Sequence, residues 1–531
     1  MTDLTLDFGS QLHFLWALLP EVVVSVTGIL VLLLDVFRRG SRGGPASRLL
    51  DGIALGGIAL AAAANGWLAT VTVEGTSSMI AVDGFRIVLN FIVLGVTALA
   101  LLYSFDWLER EDLRIGEFHF LVLMAAVGMM VLAGTRDLVI VFVAVELMSL
   151  SVYALTGLDR RQRRSAEAAL KYFLVGAFAS GFLLYGIALI FGAVGSTNLS
   201  LVTTEIARGT AERNFLLYAG VALLLVGLGF KVSAVPFHMW TPDAYEGAPT
   251  PVTAFMAAGV KAAGFAVILR IVVVELAAAA PLWQGIVWWL AMLTMIVPNL
   301  VALAQDDVKR MLAYSSIAHA GYLLVGIAAG GAAGRSATLF YLAVYAIMTV
   351  GSFSILYVVA GKGDARGRLA DFRGLGWRRP FLGLALVVFL LSLAGFPPTG
   401  GFIGKLYLLQ AALEGDQAAL AVTLVLTSLI SYYYYLRVVW KMYFEEAPAD
   451  APLPARPGPA FRFAAVFSVA AILVIGLFPG HGIRVAAEAG AGMAPRAAAA
   501  RAPGAAPDPV RLETDTPDRE PAPARTTPGR T

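Results

Sequence analysis

GFKVSAVPFHMWTP (229–242) and GFPPTGGFIGK (395–405) decide how this chain folds. Each interrupts a long apolar run with proline and sets a lysine beside the break, Lys231 near Pro236 and Lys405 near Pro397 and Pro398. Proline removes a helical hydrogen bond, and non-helical backbone survives at membrane depth only where protein or water satisfies it. Paired interruptions in corresponding halves are the sequence mark of a transporter built from inverted repeats.

Outward from these breaks the chain is apolar almost throughout. It has 531 residues, 59% hydrophobic and 14% charged, a balance that points to lipid as its solvent. At roughly 20 residues per span, about fourteen transmembrane helices are predicted. They lie near 13–37, 49–70, 80–104, 117–134, 137–157, 167–193, 214–235, 251–278, 283–304, 308–330, 336–360, 380–412, 417–443 and 461–483. The fold class is therefore an all-α membrane protein. Spans 1–3 occupy 1–116, a first five-helix repeat 117–278, a second 283–443, and a last span 461–483. Helices 7 and 12 are the broken ones, fourth in each repeat. From 485 to 531 the sequence turns to Ala, Pro, Arg and Asp and reads as a disordered, dispensable tail.

The loops after spans 1, 3, 5, 9, 11 and 13 carry 21 Lys and Arg, while the alternate loops carry only Arg136, Arg208, Arg213 and Arg335. Basic residues mark cytoplasmic loops, so both termini are expected on the non-cytoplasmic side. A net charge of +3 with scattered arginines excludes a nucleic-acid surface. The absence of cysteine excludes thiolate-ligated iron–sulfur clusters, disulfides and cysteine nucleophiles.

Only seven lysines stand among the 39 basic residues, yet four of them, Lys171, Lys231, Lys261 and Lys405, fall inside predicted spans. A basic residue there costs at least ~2.5–3.5 kcal/mol. Lysine can release its proton when desolvated and arginine does not, so the choice points to groups that titrate. Glu146, in the middle of the fifth span, is a candidate partner for Lys231. A carboxylate there would hold the lysine protonated, and weakening the pair would free the proton. The plainer alternative is a static ion pair locking two helices. His238, after the first break, and His319, in mid-span, are possible proton relays, or else polar residues bonded to a neighbouring helix. His119 reads as a boundary residue. Tyr314, Ser315 and Ser316 either host water between Lys261 and Lys405 or bond their own helix, the commoner fate of membrane serine. Arg86, Arg270 and Arg437 lie near span ends, where snorkelling accounts for them. SYYYYLRVVW (431–440) reads as an interfacial aromatic belt.

The runs PFHMWTPDAYEGAPTPVTAFMAAGVKAAGFA (236–266), QDDVKRMLAYSSIAHAGYLL (305–324) and GFPPTGGFIGKLYLL (395–409) strongly resemble the N-subunit family of bacterial and chloroplast-type complex I, the NADH-quinone oxidoreductase. The resemblance spans roughly residues 10–485. It implies fourteen helices with inverted repeats 4–8 and 9–13. It assigns Glu146 and Lys231 as the helix 5/helix 7 pair, Lys171 as a modulator, Lys261 as the connecting group and Lys405 as the terminal proton-releasing group. It implies a proton-translocating subunit of the bacterial inner membrane, beside an M-type antiporter-like subunit and small K-type and J-type subunits. No cofactor is expected in this chain, with FMN, iron–sulfur clusters and quinone on other subunits. The family's M-type usually has Glu where Lys405 stands, and its L-type continues into a long lateral helix. The alternative is a subunit of a multisubunit cation/proton antiporter, whose helix 7–8 connector usually differs from WTPDAYEGAP.

Overall fold

Apolar runs of this length can satisfy their backbone in lipid only as helices. The computed structural model describes residues 5–7, 11–37, 45–74, 79–113, 115–208, 214–449 and 451–493. Among them 13 helices are long and apolar enough to cross a membrane, and a shorter apolar helix, Pro380–Ala394, continues past a break as Gly400–Glu414. Counting that broken pair as one, the spans are Leu19–Phe37, Arg48–Leu68, Gly84–Glu111, Gly116–Gly134, Leu138–Thr156, Arg163–Val194, Phe215–Val232, Thr250–Glu275, Ala277–Leu303, Val308–Ala329, Gly331–Ala360, Pro380–Glu414, Ala418–Phe444 and Pro459–Leu477. They are numbered 1–14 below. Thr5–Asp7 and Thr72–Glu74 add a short parallel strand pair that the apolar pattern did not foretell.

The internal repeat is written in the backbone. At the start of span 5, Asp137 bridges Asn198, and Leu138 N donates to Thr197 O at 3.0 Å while Leu199 N donates to Arg136 O at 2.9 Å. At the start of span 10, Asp307 bridges Arg368, and Val308 N and Leu369 N donate to Gly367 O and Asp306 O, both at 2.8 Å. Each aspartate then caps its span, Asp137 through Val139 N and Asp307 through Arg310 N. The breaks repeat as well. Span 7 ends at Val232, Ser233 turns left-handed (φ 63°), Pro236 follows, and a short helix resumes at Trp240–Gly247. In span 12 the first half ends at Ala394, Gly395 turns left-handed (φ 86°), Pro398 follows at the same offset, and the second half starts at Gly400.

Spans 8, 10 and 11 form the buried centre between the repeats. Span 8 is irregular there. A π-helical turn at Met256–Val260 and another at Leu269–Glu275 flank the α-helical Lys261–Ile268. Such turns shift side-chain direction and are common at functional sites. Small residues bring helices close: a Cβ on Gly220 would lie 3.0 Å from Gly186 O, and one on Gly264 would lie 2.8 Å from Val232 Cγ1.

Two sequence readings need correction here. The tail begins later than 485, because Gly480–Ala491 is a helix packed on spans 3 and 11, with Arg335 Nε donating to Gly490 O at 2.9 Å. Its alternating alanines bury a small-residue face that a search for large apolar groups passes over; 494–531 lie outside the described residues. Arg86 and Arg270 do not snorkel. Arg86 is buried and pairs with Glu21 at 2.8 Å, and Arg270 forks onto both oxygens of Asp83 at 2.9 and 3.0 Å. Burial works against the Asp83 charge, yet Arg270 and the Arg86 amide outweigh it and hold the carboxyl below its usual range. His119 lies at the start of span 4, as expected of a boundary residue, and is buried there within 3.1 Å of Asp51.

A buried run of lysines, tyrosines and histidine

The first break positions Lys231 in the last helical turn before Ser233, on a buried face. Its Nζ donates to Ser149 Oγ at 2.8 Å and to Tyr153 Oη at 3.3 Å, with the Phe230 and Tyr153 rings 5.5 and 5.7 Å away. Glu146, Ser149 and Tyr153 stand at i, i+3 and i+7 and so share one stripe of span 5. Among the described residues no direct ion pair joins Glu146 to Lys231. The carboxylate instead accepts from Ser180 of span 6. The expected couple is thus split between neighbouring positions on one stripe, each partner satisfied by a hydroxyl.

Gly264 presses span 8 onto Lys231, a Cβ there lying 3.9 Å from Lys231 Cβ, and Lys261 is one turn away on the same face. Lys261 is buried and donates to the carbonyl and the hydroxyl of Ser316. Ser316 Oγ meets Tyr345 Oη at 2.7 Å, and the Tyr345 ring lies 5.7 Å from the ammonium. Ser315 bonds Tyr435. Both serines therefore bond across helices, against the commoner expectation.

His319 comes one turn after Ser315 and Ser316. It is buried, with Nδ1 2.6 Å from Tyr341 Oη and Nε2 3.2 Å from Tyr435 Oη. The rings of Tyr322 and Tyr345 stand 5.3 and 5.4 Å from the imidazole. The Tyr322 ring in turn faces Lys405 Nζ at 4.9 Å. Lys405 bends back across the second break to donate to Ala394 O at 2.8 Å. It thereby caps the carbonyl end of the first half of span 12, where a cation is favoured. Gly395 makes room for it: a Cβ there would sit 2.9 Å from Lys405 Cδ and at an unfavourable φ.

The structure thus brings Lys231, Lys261, His319 and Lys405 into one buried run and sets Glu146 beside its start. It does not bring in Lys171 or His238. Lys171 is half exposed and pairs with Glu167 at 2.9 Å and Asp243 at 3.4 Å, because it sits near the polar start of span 6 rather than at its centre. That is a correction to its place among the buried lysines. His238 is half-buried on the turn after the first break, and among the described residues no hydrogen bond links it to the run. Sequence reasoning also missed the tyrosines. Tyr434 and Tyr435 are fully buried, and within the supposed belt Tyr433, Leu436 and Trp440 point outward. The signal was available as helical spacing: Tyr341 and Tyr345 at i, i+4, and Ser315, His319 and Tyr322 on one stripe.

A duplicated helical core with discontinuous seventh and twelfth spans, threaded by buried lysines, defines an antiporter-like membrane subunit. Residues 135–431 match the family model described as "NADH:quinone oxidoreductase/Mrp antiporter, TM". NADH-quinone oxidoreductase subunit N of Trichlorobacter lovleyi is 45% identical over 473 residues, covering 89% of this chain and 96% of that protein. The subunit N of Gemmatimonas aurantiaca is 48% identical, covering 89% and 93%. A chain of respiratory complex I from Thermus thermophilus with bound aureothin superposes with TM-score 0.74 at 38% identity, over 88% of this chain and 99% of that one. A chain of the Mrp complex from Dietzia sp. shares the fold, with TM-score 0.79 at 23% identity. The chain belongs to the NADH-quinone oxidoreductase subunit N family.

Proposed function

We propose that this multi-pass subunit carries protons across the membrane for an NADH:quinone oxidoreductase, along Lys231, Lys261, His319 and Lys405. One observation carries the reading. Three lysines are buried in the bilayer-spanning core with their ammonium groups held by hydroxyls, a carbonyl and aromatic faces, and hydroxyl and imidazole groups fill the intervals. A charge held this way is solvated enough to exist yet free to leave, which a fixed ion pair would prevent.

Glu146 is the group that biases Lys231. Were the Ser180 and Ser149 contacts exchanged for a direct carboxylate–ammonium contact, the lysine would be held charged; separation lets it pass its proton toward Lys261. Lys405 is the terminal site, and Lys171, paired with Asp243, modulates the Glu146–Lys231 end from the surface. Electron transfer belongs to other subunits bearing FMN, iron–sulfur clusters and quinone, since a chain without cysteine lacks thiolate cluster ligands. We place the subunit in a bacterial inner membrane with both termini outside the cytoplasm, beside an M-type subunit and small K-type and J-type subunits. A role in a cation/proton antiporter is the weaker reading, because the relatives above 40% identity are oxidoreductase subunits.

The test is Lys231→Met in the assembled complex, with NADH oxidation and proton pumping followed in inverted membrane vesicles. Pumping should be lost. Pumping at the wild-type ratio to NADH oxidised would sink the assignment.

A further inference from the structure

On the face to which the basic loops project, the turns following spans 5, 9 and 11 and the turn between Trp240–Gly247 and span 8 surround a cleft. Both repeats contribute to it. Its inner wall is an ion pair. Lys309, buried, donates to Ala248 O at 2.6 Å and to Asp364 Oδ2 at 3.1 Å. The same Asp364 oxygen accepts from Thr250 N at 3.1 Å and Thr250 Oγ1 at 2.6 Å. Asp364 Oδ1 is buried and has no partner. An orphaned buried carboxylate oxygen is costly as an anion and is relieved by a proton or a water donor. Asp364 is also held at φ 50°, a conformation that a side chain of its kind adopts at some expense.

Behind this wall stand further hydroxyl side chains, separated from one another. Thr253 Oγ1, one turn past Thr250, donates to Tyr245 O at 2.8 Å. The Tyr245 hydroxyl lies beside Ser316, the residue that receives Lys261. Other titratable groups face the cleft: Asp159 after span 5, Arg164 on span 6, Glu246 on the short helix, Asp307 before span 10, and Arg366 after span 11. From span 3, Glu111 accepts from Gly363 N at 3.1 Å. Burial pushes the Asp307 carboxyl up, against the amide of Arg310.

We propose that this cleft is the mouth through which Lys261 is supplied with protons, with Asp364 as the receiving carboxylate and Lys309 as its positioning partner. The inference rests on the proton-carrying reading above and adds its entrance. A proton taken from bulk water onto Asp364 passes inward past Thr250 and Thr253 to the Tyr245 and Ser316 hydroxyls, water carrying it across the intervals, and each carrier accepts one proton and releases another. It arrives on Lys261 Nζ after that amine has given its own proton toward His319, and no electron moves.

The experiment uses inverted vesicles containing the assembled complex, with pumping per NADH oxidised measured at pH 6 and pH 8 for Asp364→Asn, Asp364→Glu and Lys261→Met. Asp364→Asn should lose pumping several-fold at pH 8 and much less at pH 6, where protons are abundant, and Asp364→Glu should restore the wild-type profile. Lys261→Met should fail at both pH values. If Asp364→Asn pumps as wild type at pH 8, or is depressed equally at both pH values, the mouth lies elsewhere while the proton-carrying reading stands. If Lys261→Met pumps normally, that reading falls instead. Should Asp364→Asn not assemble, Thr250→Val, which deletes the hydroxyl bonded to Asp364, must give the same pH-dependent loss, and a wild-type profile from it overturns the proposal.

Discussion

Replacing Tyr435 by Phe deletes one oxygen from the centre of the buried run and leaves the ring in place, tilted against Tyr434 at 4.5 Å. That oxygen serves both Ser315 Oγ and His319 Nε2. Both groups belong to span 10, which is buried almost throughout. Each buried polar group left unmade costs about 1–3 kcal/mol. His319 keeps Tyr341 on Nδ1 at 2.6 Å, so the imidazole stays oriented and loses only its exchange partner. If the hydroxyl serves the transfer step, a barrier increase of even about 1.4 kcal/mol slows that step tenfold.

The assay separates transfer from assembly. Native electrophoresis reports the amount of intact complex, and quinone-coupled pumping in inverted vesicles reports the path. Tyr435→Phe should leave the first unchanged and lower the second about tenfold. Tyr433→Phe, on the outward face of the same helix, should alter neither. Equal pumping by Tyr435→Phe and wild type would refute the reasoning, since it would mean that protons reach Lys405 without the His319–Tyr435 contact.

Lys405→Arg keeps a cation near Ala394 O but supplies a guanidinium that does not release its proton, so pumping should stop while assembly persists; continued pumping would make Lys405 a fixed charge. Gly264→Val should cost about 1–3 kcal/mol of stability through overpacking against Val232 and reduce pumping by displacing Lys261 from Lys231, read as a lowered melting temperature of the purified complex together with reduced pumping. Asp83→Asn strips the buried Arg270 of its counter-charge and should destabilise by about 3–5 kcal/mol, seen as poor recovery of assembled complex. The Asp83 carboxyl is held below its usual range, so its contribution is fully present at neutral pH and is lost only as pH falls through that lowered value; assembly should be flat from pH 6 to 8. Truncation after residue 493 should be tolerated, whereas truncation before 480, which removes the helix bonded to Arg335, should impair assembly, as checked by native electrophoresis.

The spans were legible because lipid demands a continuous apolar run, and the two breaks because proline cannot hide within one. Lys231, Lys261 and Lys405 stood out for the same reason, as charges where charge is costly. What the sequence concealed is direction. Whether Lys171 points into the core or to the surface depends on its height on span 6, and the apolar window around it could not fix that height. Arg86 and Arg270 looked like snorkelling residues because their partners, Glu21 and Asp83, come from other elements far away in sequence. Tyrosine carries no hydropathic penalty, so Tyr341, Tyr345 and Tyr435 passed as membrane aromatics until their hydroxyls were seen to converge on His319 and Ser316.

The chain keeps two vocabularies for buried positive charge. Where helices must be fixed, it uses arginine against carboxylate: Arg86 with Glu21 ties spans 1 and 3, and Arg270 with Asp83 ties span 8 to the start of span 3. A guanidinium stays charged and forks onto its partner, so such a pair holds one geometry at any working pH. Where charge is proposed to move, it uses lysine against hydroxyls, carbonyls and rings, as at Lys231, Lys261 and Lys405. Those partners stabilise an ammonium by less than a carboxylate does, and they remain satisfied when the amine is neutral, because a hydroxyl can turn to donate to it. Lysine does meet carboxylates at Lys171 and Lys309, both at span ends near the aqueous face, where protons come from water. A carboxylate placed directly on Lys261 would convert the second vocabulary into the first. Ser316→Asp should therefore assemble, deepen the hold on that ammonium and halt pumping, and a variant that pumped at the wild-type rate would show that the absence of a carboxylate there is incidental.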